Sequence, residues 1–337
     1  MKFTIKDVAE KAGVSKTTVS RILNGNYNHA KEATRNKVLK VIQELNFQPN
    51  ALARGLKQVK TNVIGILVSN LKNPFWTEVL EGVEDTCRNH GYQLMICNSN
   101  EDQQLERDSI KALQLRQVDG IVANPTVKDE SFYSELVNDQ YPVVLINRKL
   151  KNVEIDSVVM DNIQGASLAV EHLLNLGKKK IAIFVYSDQH VSPWKERLSG
   201  YKKTLLKNSF TEKDYIIQFV KQDPEAVKSA VVHYLKNSPR PDAIFSTNNM
   251  LTLDILDGIK ESGLKVPDDI SLVSYDDTMW SKHIDPPLTT VNQPRYEMGK
   301  IAAEKLIEII NSKDERNPEL IVLEPNLIIR KSCGSKN

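Results

Sequence analysis

"TIKDVAEKAGVSKTTVSRIL", residues 4–23, is the stretch that decides how this 337-residue chain is read. Ile5, Val8, Ala9 and Ala12 are spaced i, i+3, i+4, i+7, as on one buried helix face. Gly13 supplies the backbone freedom of a tight turn, and Ser15 is a good N-cap for a second helix. There Val19, Ile22 and Leu23 point inward, leaving Lys16, Thr17, Ser20 and Arg21 on the opposite face. Val38, Val41, Ile42 and Leu45 repeat the spacing and predict a third helix. A helix-turn-helix presents such a polar, basic second helix to the major groove. Thr17 and Arg21 can reach base edges, while Lys16 serves bases or phosphates. The pattern alone also allows a three-helix bundle without a nucleic-acid partner.

Charge sharpens the contrast between this head and the rest of the chain. Residues 1–60 hold twelve Lys and Arg against four Asp and Glu, a balance of +8, which leaves −6 for the other 277 residues. A basic head on an acidic body suggests a polyanion partner for the head alone. No apolar run approaches the roughly 20 residues of a membrane span, and the N-terminus lacks a secretory pattern. Cys87, Cys97 and Cys333 show no C-x-x-C spacing, so neither a disulfide framework nor a zinc site is expected. Cys87 and Cys97 fit apolar core patterns, and Cys333 sits in a polar tail. A cytoplasmic protein without membrane contact is expected.

"TIKDVAEKAGVSKTTVSRILN", with "ATRNKVLKVIQELNFQPNALARGLK" after it, resembles the DNA-binding head of the lactose-repressor/galactose-repressor family of bacterial transcription regulators. The resemblance implies DNA contacts from Thr4, Ser15, Lys16, Thr17, Thr18, Ser20, Arg21, Asn24 and His29. One departure lies in "NGNYNHAKEATR": Ala30 is followed by Lys31 where the family usually has a Ser or Thr cap.

"QPNALARGLKQVKT" joins head to body, and its residues 50–58 hold about two turns of helical pattern. A helix that short is marginal in water, and a plain basic linker also suits the composition. By resemblance this is the family's hinge helix, which folds on operator DNA, pairs with its dimer mate and enters the minor groove. Leu56 matches the apolar wedge that unstacks a base step. Ala53 permits close hinge–hinge approach, Arg54 lies beside the phosphates, and Lys57 adds a phosphate contact. Gly55 departs from the usual Ser or Gln and costs a helix about 1 kcal/mol relative to Ala.

From Thr61 apolar runs alternate with helical segments. "VIGILV", "YQLMIC", "DGIVA" and "PVVLIN" form one strand set, and "KIAIFV", "YIIQFV", "AIFST" and "ISLVSY" a second, with "SVVM" between them. An α/β body of two doubly wound parallel sheets is predicted. The predicted divisions are 1–48 for the head, 49–60 for the hinge, 61–160 with 291–320 for an N-terminal lobe, and 161–290 with 321–331 for a C-terminal lobe.

Enzyme signatures are missing: the chain has no G-x-G-x-x-G, Walker A, G-x-S-x-G or H-E-x-x-H. Neither catalysis nor a cofactor or metal is expected. A free periplasmic sugar-binding protein would share the bilobal fold but needs a signal peptide and no DNA-binding head.

Ligands of open α/β sheets sit outside the carboxyl ends of the strands. The loops there resemble the family's sugar-effector domain through "NPFW", "ERLSGYK" and "YDD…PPLTTVNQP". By that resemblance Ser69, Phe75, Asn147, Arg197, Asn248, Asp276 and Gln293 are the contact candidates, and the same loops add Arg148, Trp194, Lys195 and Asn249. Aromatic faces cover the C–H surface of a sugar, and Asn, Asp and Arg bond its hydroxyls. Amides at Asn147 and Asn249, where many relatives carry acids, raise the local potential beside Arg148, Lys195 and Arg197. That favours a sugar acid, its carboxylate near Arg197 or Lys195. If Arg148 and Lys195 instead face solvent or pair with acids such as Glu196, the site suits a neutral sugar.

The resemblance thus implies a homodimeric repressor of carbohydrate-utilisation genes, switched by a small sugar or sugar acid between the lobes. Two heads imply a near-palindromic operator in double-stranded DNA. The chain ends at "RKSCGSKN" without the heptad helix by which some members tetramerise, which favours a dimer. A protein corepressor docking on the N-terminal lobe, as in the family's catabolite-control branch, is the alternative.

Overall fold

The apolar spacing of the head closes as three helices: α1 (Ile5–Ala12), α2 (Lys16–Leu23) and α3 (Glu32–Glu44). The computed structural model describes residues 5–23, 32–45, 60–126, 129–188, 190–237, 239–312 and 317–335. It divides into two units, Met1–Thr61 and Asn62–Asn337. In the head Val8, Ala9, Ala12, Val19, Ile22, Val38 and Val41 are buried together, and Ile42 and Leu45 pack partly against them. The side chains of Ile5 and Leu23 fall outside the described ones. Gly13 turns the chain at φ +67°, the left-handed region that favours glycine. Ser15 Oγ then accepts the Thr18 N–H at 3.1 Å, the expected N-cap.

The larger unit carries two six-stranded sheets. Five strands of the first, β1 (Val63–Val68), β2 (Gln93–Asn98), β3 (Gly120–Ala123), β4 (Val143–Ile146) and β5 (Ser157–Met160), precede the first crossing. The helices between them are α4 (Phe75–Asn89), α5 (Gln103–Leu115) and α6 (Ser131–Asn138). The second lobe holds β6 (Ile181–Tyr186), β7 (Ile216–Val220), β8 (Ala243–Ser246), β9 (Ser271–Tyr275) and β10 (Thr289–Asn292). Its helices are α7 (Asn162–Asn175), α8 (Ser192–Lys207), α9 (Pro224–Asn237) and α10 (Asn249–Glu261). The chain then returns with α11 (Arg295–Asn311) and β11 (Leu320–Leu323), and ends in the second lobe with β12 (Asn326–Ile328).

Strand order is β11-β5-β4-β3-β1-β2 in one sheet and β12-β10-β9-β8-β6-β7 in the other. Every pair is parallel except β10 with β12. Apolar clusters fill the space between sheet and helices in both lobes. Burial of this kind, at about 25 cal/mol per Å² of apolar area, is the main force holding such layers. Helix α11 lies so close to α4 that a Cβ on Gly82 would collide with the Tyr296 carbonyl oxygen, and one on Gly299 with that of Val79.

Two predicted divisions shift by a few residues. β10 belongs to the second sheet, paired in register with β9, so that crossing falls after Asn292 and not before residue 291. β11 stays in the first sheet through Leu323, which lies opposite Met160, so the last crossing follows residue 323 and not 320. Helix α8 begins at Ser192, where Pro193 fits the first turn because its missing N–H costs nothing there. Cys333, expected in a polar tail, is fully buried. His172 Nε2 and Thr289 Oγ1 lie 3.2 and 3.1 Å from its sulfur.

Candidate functional site

In each sheet one strand pair, β1 with β3 and β6 with β8, is where the chain reverses its direction of travel across the sheet. Ligands of doubly wound sheets bind beyond the carboxyl ends of the strands at that switch point. A cleft of about 580 Å³, open mouth included, lies there between the two lobes.

The first lobe lines the cleft with Ser69, Asn70, Asn73, Phe75 and Trp76 after β1, Glu101 after β2, and Asn147 and Arg148 after β4. The second lobe adds Tyr186 at the end of β6, then Val191, Pro193, Trp194 and Arg197 at the start of α8. Gln222, Asn248, Met250, Asp276 and Gln293 complete it. Phe75 with Trp76, and Tyr186 with Trp194, form edge-to-face pairs at 5.1 Å, so each lobe contributes aromatic surface.

Asn147 and Asp276 occupy equivalent places, directly after β4 and β9. Both have left-handed backbone, φ +63° and +70°, which Asn and Asp tolerate better than other side chains. Asn147 Nδ2 donates to Asn124 Oδ1 at 3.4 Å. Asp276 Oδ1 accepts from Gln293 Nε2, and the other end of that amide, Gln293 Oε1, is buried without a partner.

Arg197 is 3 % exposed. Its Nε donates to Asn162 Oδ1 at 2.9 Å, one Nη donates to the Thr247 carbonyl at 2.6 Å, and the guanidinium lies 3.5 Å from the Tyr275 ring centroid. Burial pushes the Tyr275 hydroxyl up to about 12, against the opposing pull of Arg197. Asn162 also donates to Glu196 Oε2 at 3.0 Å, and Glu196 pairs with Lys149 of the first lobe at 2.7 Å. Arg197 is thereby wired to an inter-lobe ion pair. A second inter-lobe contact joins Asn249 Nδ2 to Asn73 Oδ1 at 2.8 Å.

Arg148 forms a two-pronged ion pair with Glu101, at 2.8 and 2.7 Å, and donates to the Pro125 carbonyl at 3.1 Å. The Trp194 ring lies 5.7 Å away.

Nine of the eleven expected effector residues therefore line the cleft. Lys195 does not: it is exposed, because two residues along a helix from Arg197 it points to the other side. Asn249 does not either, since α10 starts at this residue and turns its side chain to Asn73. Asn248 has a second task, its Oδ1 capping Met250 and Leu251. Asn70, Asn73, Trp76 and Glu101 were not among the expected residues, although Asn73 and Trp76 belong to the "NPFW" stretch. Nor were Tyr186 and Gln222, which sit at a strand end and in an unremarked loop.

In the head Lys16, Thr17 and Arg21 are exposed on α2, while Thr18 is half-buried and its hydroxyl lies 2.9 Å from Ser15 Oγ. Ser15 and Thr18 thus serve the helix start. Ser20 belongs to α2. Thr4, Asn24, His29, Ala53, Arg54, Leu56 and Lys57 lie outside the described residues, as do Ala30, Lys31 and Gly55. Among the described residues no helix is long and apolar enough to cross a membrane, and no His, Cys, Asp and Glu group could hold a metal ion.

A reading helix on a basic unit, in one chain with a bilobal ligand-binding body, defines an effector-domain transcription regulator. Comparison with known proteins gives the family. Residues 4–50 match "Bacterial regulatory proteins, lacI family", and residues 61–330 match "Periplasmic binding proteins and sugar binding domain of LacI family". The chain belongs to the LacI family and is a DNA-binding transcriptional regulator. It is 35 % identical over 319 residues to the probable HTH-type transcriptional regulator EndR of Paenibacillus polymyxa, covering 94 % of this chain and 93 % of that one. It is 34 % identical over 330 residues to the HTH-type transcriptional regulator KdgR of Bacillus subtilis, covering 98 % and 97 %. Among solved structures, the lac repressor dimer bound to operator and the anti-inducer ONPF matches at TM-score 0.86, with 26 % identity and 99 % of both chains covered. The transcriptional regulator CelR–cellobiose complex matches at TM-score 0.73, with 28 % identity, covering 98 % of this chain and all of that one.

Proposed function

We propose that this regulator is a homodimeric repressor of carbohydrate-utilisation genes whose operator affinity is set by a sugar held between the two lobes. The observation that carries the reading is the cleft: aromatic faces from both lobes, with amides, Asp276 and Arg197 between them. Aromatic rings cover sugar C–H surface, and charged or amide groups bond hydroxyls directionally. Bound sugar would favour one arrangement of the lobes over another. The chain Arg197–Asn162–Glu196–Lys149 supplies a route from the ligand to the inter-lobe contact.

In the head, Lys16, Thr17 and Arg21 are the proposed readers, with Arg21 on a base edge. Two copies would read the halves of a near-palindrome, and Leu56 of each hinge would wedge the minor groove between them. The test starts from duplexes selected from a random library, bound at several salt concentrations. Arg21→Ala should cost about 1–3 kcal/mol on the selected duplex and relax preference at one base pair. Equal wild-type affinity for selected and random duplexes across the salt range would overturn the site-specific reading.

A further inference from the structure

We propose that the cleft takes an uncharged saccharide, and that the Glu101–Arg148 pair is what makes it discriminate against sugar acids. The proposal rests on the sugar reading of the cleft and narrows it. Among the described residues four charged side chains line the cleft: Glu101, Arg148, Arg197 and Asp276. Their formal charges cancel, but they cancel in two different ways.

Arg148 has its charge matched on the spot. Two parallel N–H···O bonds at 2.8 and 2.7 Å seat it on Glu101, the fork-on-carboxylate geometry in which Arg binds acids most strongly. An incoming carboxylate would have to displace Glu101 to use that guanidinium. Lys195, the other cation that could have drawn an acid, is exposed and lies outside the cleft.

Arg197 and Asp276 are backed by neutral groups instead. Arg197 is held by an amide oxygen, a carbonyl and an aromatic ring, and Asp276 by the Gln293 amide. One cation and one anion therefore face the same ligand. A hydroxyl can accept from Arg197 and donate to Asp276, so a polyol satisfies both. A carboxylate only accepts. It would gain from Arg197 while meeting the like charges of Asp276 and Glu101, and like charges in one site are disfavoured.

The experiment is calorimetry on the full chain with matched pairs: glucose and gluconate, galactose and galacturonate, cellobiose and cellobionate. In the wild type the neutral member of a binding pair should bind at least tenfold more tightly than its acid. Glu101→Gln frees the Arg148 charge and should shift that ratio at least tenfold toward the acid. Arg148→Gln leaves the Glu101 charge unmatched and should shift it the other way, which keeps the idea testable if the first variant folds poorly. Tighter binding of the acid by the wild type would overturn the proposal, as would a ratio unmoved in both folded variants. Absence of binding by every neutral and acidic sugar would instead overturn the carbohydrate reading itself, and this proposal with it.

Discussion

The two lobes of the body share a strand order, β2-β1-β3-β4-β5 in one and β7-β6-β8-β9-β10 in the other, and both face the cleft with the same strand ends. They furnish it differently. After β4 the left-handed position is Asn147, a neutral amide; after β9 the equivalent position is Asp276, a carboxylate. In the first lobe the cationic side chain, Arg148, is locked to Glu101. In the second lobe Arg197 rests on Asn162, Thr247 and Tyr275, none of them an acid. One backbone design thus carries two charge arrangements: a self-neutralised wall in the first lobe, and a pair of charges left for the ligand in the second.

The largest effect expected from breaking that contrast is at Arg197. Arg197→Met keeps bulk but removes the charged donors, each worth about 1.5–3 kcal/mol when bonded. Saccharide binding, followed by calorimetry, should weaken by one to two powers of ten. Affinity within twofold of the wild type would mean that the second lobe does not hold the reading charge.

A smaller effect is expected where the lobes meet. Lys149→Met removes the ion pair to Glu196, whose side chains are 42 % and 19 % exposed. Partly exposed pairs contribute about 0–1 kcal/mol and are screened by salt. Saccharide affinity should change by a few-fold at low ionic strength, and the difference from wild type should shrink as salt is added. A salt-independent change would point to packing, not charge.

The smallest effect concerns the second lobe's own acids. Burial first, then Asp257, Asp223 and Glu225, push the Asp254 carboxyl from 3.8 up to about 6. Its charged form is disfavoured on folding, so stability complete below pH 3.8 falls as pH rises through about 6. Asp254→Asn should raise the melting temperature at pH 8 and leave it unchanged near pH 3.8. The gain should stay below about 1 kcal/mol after solvent screening. An equal shift at both pH values would exclude titration as its cause.

Much of this arrangement was legible in the sequence because strand ends are. Apolar runs bounded by polar loops located the strands, the rule that ligands lie past strand ends pointed to the loops, and within them the family resemblance picked out Ser69, Asn147, Asp276 and Gln293. What the sequence hid was helical phase and long-range pairing. Lys195 and Arg197 look like neighbours until the start of α8 at Ser192 puts them on opposite sides of a helix. The pairing of Arg148 was hidden for a similar reason: its partner Glu101 is 47 residues away, across the ends of β2 and β4. Tyr186 was lost because it falls just past the predicted strand "KIAIFV", yet it ends β6 and forms part of the cleft wall.

The central claim, that the cleft governs operator binding, is tested most directly by closing a thermodynamic cycle. Operator affinity is measured with and without a saturating neutral saccharide, and saccharide affinity with and without the operator. Linkage requires the two ratios to be equal, and coupling of about 1–3 kcal/mol makes each about 5–150. Equal ratios in that range are the predicted result. A saccharide that binds the cleft while leaving operator affinity unchanged would contradict the account.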